Sequence, residues 1–255
     1  MSKNEKAEDF KKFEFLTFED FKRRAKDNKM SCYEKIGFPD SYRKGYENLI
    51  FKDIKSKLGG LRGKNKVILD IGCGCSELAS MMIKLCQKNA SKLLLVDSDE
   101  MLSLLPNGSS IEKFPARFPD CPVLLEKYAG KVDSVLIYSV LQHVFLEDSL
   151  FVFLDTACEL LKEGGEILIG DIPNISKRKR FFSSKSGIEC HQKFSGTKEI
   201  PKIEYMVVET KKIDDGVVFC ILQRYRNFGF DTYLLPQNDN LPIANRREDI
   251  LIKKP

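Results

Sequence analysis

Residues 66–79 read KVILDIGCGCSELA, Lys66 to Ala79. Val67 to Ile71, four apolar residues and one aspartate, run straight into Gly72-Cys73-Gly74. Near-continuous apolar character predicts a strand buried on both faces, because a strand with one wet face would alternate. Glycines at its end permit a turn that few side chains allow and let the backbone come into contact with a ligand. The helix expected from Ser76 onward then offers N–H groups that have no partner within the helix. A strand, a tight glycine turn and a helix N-terminus are how an open α/β sheet approaches a nucleotide.

The pattern continues on both sides. KLLLVDSD predicts a second strand ending in Asp97, VDSVLIYSVL a strand near 132–138, and EILIGDI another. Between the last two, EDSLFVFLDTACELLKEGG predicts a long amphipathic helix closed by Gly164. Residues 102–131 should hold one short strand, within Ser110–Phe118 or Val123–Leu125. Upstream, Thr17 and Asp20 have the spacing of a capping box. Asp40 is a candidate N-cap for a helix with an apolar stripe of Tyr42, Tyr46, Leu49, Ile50, Ile54 and Leu58, stopped by Gly59 and Gly60. Downstream, residues 174–195 read as a basic loop or insertion and KIEYMVVETK as an extra strand. A helix capped by Asp214 follows, then DTYLLP and EDILIKK as two closing strands. Strands alternating with helices give a mostly parallel sheet with helices on both faces. The expected division is a helical N-terminal cap over 1–60 and an α/β domain over 61–255, with a basic lid inserted at about 174–210.

With 255 residues, 42% hydrophobic and 31% charged, the chain can bury one large core. No apolar run approaches the ~20 residues of a membrane helix. The polar start MSKNEKAEDF lacks the apolar region of a signal peptide, so a cytoplasmic location is expected. Eight cysteines in a chain this long are expected as free thiols. A net charge of +5 does not by itself indicate nucleic acid.

Asp70-Ile71-Gly72-Cys73-Gly74 resembles the first motif of class I S-adenosylmethionine-dependent methyltransferases, and the order of elements from Lys64 to Lys254 is similar to theirs. The resemblance implies a seven-stranded Rossmann-like sheet whose last strand is antiparallel, which agrees with the closing hairpin. It implies that Asp97 grips the ribose hydroxyls and that Asp70 orders the loop near the methionine part of the cofactor. An ionised carboxylate only accepts hydrogen bonds, which suits Asp97 to that task. The expected cofactor-binding set is Asp70, Gly72, Cys73, Gly74, Ser76, Asp97 and Ser98, with Arg43 and Tyr138. Two departures stand out. A dinucleotide fingerprint needs glycine where this chain has Glu77, which disfavours NAD. The common methyltransferase form has a further glycine where this chain has Ser76, whose hydroxyl either caps the helix or faces the cofactor.

The acceptor belongs beyond the remaining strand ends, at IYSVLQHV and GDIPNISKRKRFFSSK. His143 is the candidate general base, against a packing role; Asp171 is a second candidate, and Tyr138 a third catalytic one. Gln142, Asn174, Arg178 and Arg180 are candidate substrate-binding residues, the last two from the run Lys177–Arg180, which is otherwise a solvated face. Phe181 and Phe182 would fold the insertion over the substrate. Arg43 would pair with the cofactor's carboxylate; His191 belongs to the acceptor lid or to no site, and Arg246 and Arg247 serve either structure or the binding of an acidic ligand. Cys73 and Cys75 lack a second cysteine pair or nearby histidines, so no metal is expected. The amino-methyltransferase motif N/D-P-P-Y/F is absent. The expected function is methyl transfer from S-adenosylmethionine to a small, anionic acceptor such as a sugar, a nucleotide-linked sugar or a phosphorylated metabolite, at oxygen rather than nitrogen. The rivals are an RNA or protein methyltransferase, with a basic surface continuous with the pocket, and a non-catalytic cofactor-binding protein whose acceptor side is filled.

Overall fold

A computed structural model describes residues 12, 13 and 15–255; residues 1–11 and 14, with the polar start of the expected cap, lie outside the described residues. Helices α1 (Phe18–Lys26), α2 (Cys32–Lys35), α3 (Asp40–Arg43) and α4 (Glu47–Lys57) precede the sheet. Thr17 and Asp20 form the reciprocal capping box of α1. The single helix expected from Asp40 is broken between α3 and α4 at Gly45, whose φ of +88° is foreign to a right-handed helix. Pro39, not Asp40, takes the N-cap position. Only the part of the stripe on α4 and just after it is buried, at Ile50, Ile54 and Leu58, whereas Tyr46 and Leu49 are exposed.

A 3-10 turn at Gly59–Arg62 leads into β1 (Val67–Ile71), then α5 (Glu77–Lys88), β2 (Lys92–Asp97), α6 (Asp99–Leu102), β3 (Ile111–Pro115), α7 (Pro122–Tyr128) and β4 (Val132–Tyr138). There follow α8 (Leu141–Glu147), α9 (Leu150–Glu159), β5 (Leu161–Pro173), α10 (Ile175–Ser183), α11 (Lys185–Ser195), α12 (Asp215–Asn227), β6 (Asp231–Pro236) and β7 (Arg247–Lys253). The strand order is β3-β2-β1-β4-β5-β7-β6. β7 runs antiparallel to both neighbours, and the pairs among β1 to β5 are parallel. The order reverses between β1 and β4, which leaves a crevice beyond their carboxyl ends. Alternate strand residues feed two cores. Leu69, Ile71, Val135 and Ile137 pack with α9 and α12, while Ile68, Leu93, Leu95 and Leu136 pack with α4 and α5. Burial on both faces is what the unbroken apolar runs required.

The expected short strand is β3, inside Ser110–Phe118, whereas Val123–Leu125 belongs to α7, which Pro122 opens at its first turn. Three expectations need correction. The helix expected over 147–165 is α9 alone, which begins at Leu150 and stops at Glu159, where Leu160 and Leu161 are drawn into the core. Residues 174–195 are not a loop: Asn174 and Ser184 cap α10 and α11 in succession. Residues 202–211 form no strand, since β6 already occupies the edge beyond β7, and Met206 and Val208 stand exposed. Among the described residues no helix is long and apolar enough to cross a membrane.

A candidate cofactor cavity and an adjoining basic cleft

A cavity lies in the crevice at the β1–β4 switch point, lined by the Asp70–Gly74 turn, Asp97 and Tyr138, and covered by Phe18, Phe21, Ile36, Phe38 and Arg43 of the N-terminal segment. Gly72 and Gly74 have φ of +69° and +61°. A Cβ on Gly72 would meet Val140 Cγ2 at 2.6 Å, and one on Gly74 would meet Ile36 Cγ2 at 2.6 Å. Both conformation and space therefore exclude a side chain, and the N-terminal segment rests directly on the turn. Ser76 caps α5, its hydroxyl accepting from the Leu78 N–H at 3.2 Å, and it also lines the cavity.

Asp97 orders the turn. Its carboxylate accepts from the Gly74 N–H at 2.9 Å and from the Ser98 N–H at 2.7 Å. Burial pushes its pKa up to about 6 against the pull of those two bonds. Asp70 is pushed up to about 7, by burial and then by the charge of Asp97. Two buried carboxylates without a cationic partner among the described residues suit a ligand that brings hydroxyl donors and positive charge, as a ribose and a sulfonium do. The expected cofactor therefore fits the donor set present. Cys73 lines the cavity as a thiol that burial holds neutral. Ser98 does not line it; its hydroxyl turns inward to cap α6 at the Met101 N–H, 3.2 Å away. Arg43 lines the cavity between the rings of Phe38 and Tyr138, 4.9 and 5.5 Å from their centroids, but already pairs with buried Glu47 at 3.0 Å. Burial raises the pKa of the Tyr138 phenol, keeping it neutral.

His143 borders both this cavity and a second cleft beyond the end of β5. Its Nδ1 lies 3.1 Å from the Leu16 carbonyl, and its ring meets Phe21 edge-on. A carbonyl only accepts, so Nδ1 carries the hydrogen and Nε2 keeps its lone pair. Burial lowers the His143 pKa to about 4, so the ring is neutral at pH 7. Beside it, Gln142 donates to the Ser139 carbonyl at 2.7 Å, and its amide oxygen is buried without a partner. Asp171 lines neither of these two spaces. With φ of +62°, it accepts from the Ser139 hydroxyl at 2.5 Å and pairs with Arg247 at 2.9 Å.

The second cleft is basic. Arg178, Lys211, Lys212, Arg246 and Arg247 line it, and no Asp or Glu among the described residues does. The run Lys177–Arg180 lies on α10, where successive side chains point about 100° apart. Only Arg178 reaches the cleft. Lys177 donates to the Arg247 carbonyl at 2.8 Å, Lys179 turns inward to the Val207 carbonyl at 2.8 Å, and Arg180 pairs with Asp215 outside the cleft. Arg180, expected to bind substrate, thus faces away from the cleft. Asn174 lines the cleft, but its side chain is spent: the oxygen caps α10 and the nitrogen donates to Asp215 and Glu248, both at 2.8 Å. Phe182 is buried beneath Arg178 and Arg246, and the His191 ring meets it edge-on. Sequence reasoning missed Lys211 and Lys212, although the doublet was visible.

No protein-family model and no curated protein matches the chain. Solved structures do. The plantazolicin methyltransferase BpumL, in complex with a triazolic desmethylPZN analog and SAH, aligns over 93% of this chain and 98% of its own at 12% identity, with a TM-score of 0.55. The CurJ carbon methyltransferase aligns over 86% of this chain at 13% identity and a TM-score of 0.51. A provisionally assigned O-methyltransferase from Nostoc punctiforme aligns over 82% at 15% identity and a TM-score of 0.50. The chain spans 55% of each of these last two. At such identities the likeness concerns the fold, which is that of class I methyltransferases.

Proposed function

We propose that the chain is an S-adenosylmethionine-dependent methyltransferase acting on a small anionic acceptor. The observation that carries this reading is the switch-point turn, where Asp97 holds the Gly74 N–H at 2.9 Å beside a second buried carboxylate, Asp70, that has no cationic partner among the described residues. S-adenosylmethionine supplies an electrophilic methyl group on a sulfonium. The chain's own residues would do the rest. The free lone pairs of Asp97 would accept from the ribose hydroxyls, and the backbone at Gly72 and Gly74 would hold the cofactor where no side chain intervenes. Phe18, Phe21 and Ile36 keep water from the methyl group. The acceptor lies in the basic cleft, and His143, bordering both spaces, takes its proton at Nε2.

The similar structures include carbon and oxygen methyltransferases, so the fold does not select the acceptor atom. Histidine as base favours oxygen, whose proton must leave. The basic cleft adjoining the cavity also suits the RNA reading, which a competition experiment separates below. The direct test is calorimetric titration with S-adenosylhomocysteine. Binding should occur, and Asp97→Ala should weaken it by about 1–3 kcal/mol, the worth of hydrogen bonds to a charged group. Binding of NAD with no response to either sulfur cofactor would overturn the proposal.

A further inference from the structure

The basic cleft contains more positive charge than its own carboxylates offset. Arg247 pairs with Asp171 and Lys212 with Glu209, both at 2.9 Å. Among the described residues, Arg178, Arg246 and Lys211 have no carboxylate within ion-pair distance. Arg178 and Arg246 are gathered by one ring: their guanidinium carbons lie 5.1 and 4.8 Å from the centroid of buried Phe182. Burial and the neighbouring charge of Arg178 lower the pKa of Arg246, as expected where cations are held together without a counter-ion. The buried amide oxygen of Gln142, which also lines the cleft, lacks a donor among the described residues.

Three uncompensated cations exceed what one carboxylate can neutralise. A phosphate monoester carries about −1.5 to −2 at pH 7 and three acceptor oxygens, and guanidinium forks bind such oxygens in pairs. We infer that the acceptor bears a phosphoryl group, held by Arg178, Arg246 and Lys211, and presents a hydroxyl toward Gln142 and His143. This deepens the methyltransferase reading and rests on it for the identity of the reaction. The substrate class is a small phosphorylated hydroxy compound, and the anion end lies away from the cofactor.

Titration of the full chain with inorganic phosphate and with acetate, at one ionic strength and with S-adenosylhomocysteine present, tests the site. Phosphate should bind more tightly than acetate. Arg178→Gln and Arg246→Gln should weaken it about ten- to a hundredfold. Lys211→Gln, on an exposed side chain, serves as a second variant in which folding is not at issue. Arg180→Gln, on a side chain that pairs with Asp215 outside the cleft, should leave phosphate binding unchanged. Phosphate no better than acetate, unchanged affinity in all three cleft variants, or displacement of phosphate by a short RNA oligomer at far lower concentration than by glycerol phosphate would each overturn the inference. A wild-type chain that binds phosphate as described but ignores S-adenosylhomocysteine would sink the methyltransferase reading and leave the phosphate site standing.

Discussion

At the scale of single residues, protonation states govern the site. Asp97 and Asp70 titrate at about 6 and about 7 in the folded chain, above the ordinary carboxylate range, because both are buried. Ribose hydroxyls and a sulfonium favour the ionised forms, so cofactor affinity should fall as pH drops through 7 and then 6. Calorimetry between pH 5 and 8 checks this, and a flat profile contradicts it. His143 has the opposite requirement. With its pKa lowered to about 4, it stays neutral where an exposed imidazole would already be charged, as the proposed base role needs. Its contribution to stability is complete above about 6.5 and is lost as pH falls toward 4, since the unfolded chain binds the extra proton first. His143→Ala should lower turnover by about 10²–10⁴ with cofactor affinity nearly unchanged, and the wild-type rate profile should show no inflection at the ordinary imidazole value. Near-normal turnover in that variant would return His143 to packing.

Among elements, legibility depended on how local the signal was. The glycine turn, the Thr17 capping box and strands β1, β2, β4 and β5 follow from spacing within a few residues, and the sequence shows them; it left β3 between two placements and Ser76 between two roles. The break at Gly45, the two helices over 175–195 and the unpaired stretch 202–211 depend on what lies across space, and no local pattern shows that. The same holds for the basic run, where charge was visible but α10 decides that Arg178 faces the cleft and Arg180 does not. Contact between the N-terminal segment and the glycine turn is another cross-chain feature. Gly74→Ala would place a methyl group against Ile36 at a left-handed φ, and should cost about 1–3 kcal/mol in stability along with cofactor affinity. Adding Ile36→Ala should recover the steric share and leave the backbone share, so the double variant should be less damaged than the two effects summed. Strict additivity would show that the two positions do not touch.

For the whole molecule, a buried polar network joins the N-terminal helices to the carboxyl end of the sheet. Arg43 on α3 binds Glu47 on α4 and reaches Ser139 at 3.4 Å, whose hydroxyl donates to Asp171. Asp171 pairs with Arg247 on β7, and its N–H donates to Asp249 at 2.8 Å; Asp249 in turn pairs with Lys57 of α4 at 2.6 Å. Gln237, beyond β6, donates to Asp249 at 3.1 Å. The network closes around the strand ends that frame both the cavity and the cleft, so the two spaces keep their relation only while it is intact. In this arrangement Asp171 is a structural centre, since its carboxylate is occupied and it lines neither space. Removing one partner of a buried ion pair strands the other, at about 3–5 kcal/mol. Asp171→Ala should therefore unfold at markedly lower denaturant, and at temperatures where it remains folded it should retain measurable turnover. A base in that position predicts the reverse, a variant of normal stability with turnover reduced as in His143→Ala. Measuring denaturant midpoints and single-turnover rates on both variants separates the two roles, because loss of the network moves the first quantity and loss of a proton acceptor moves the second.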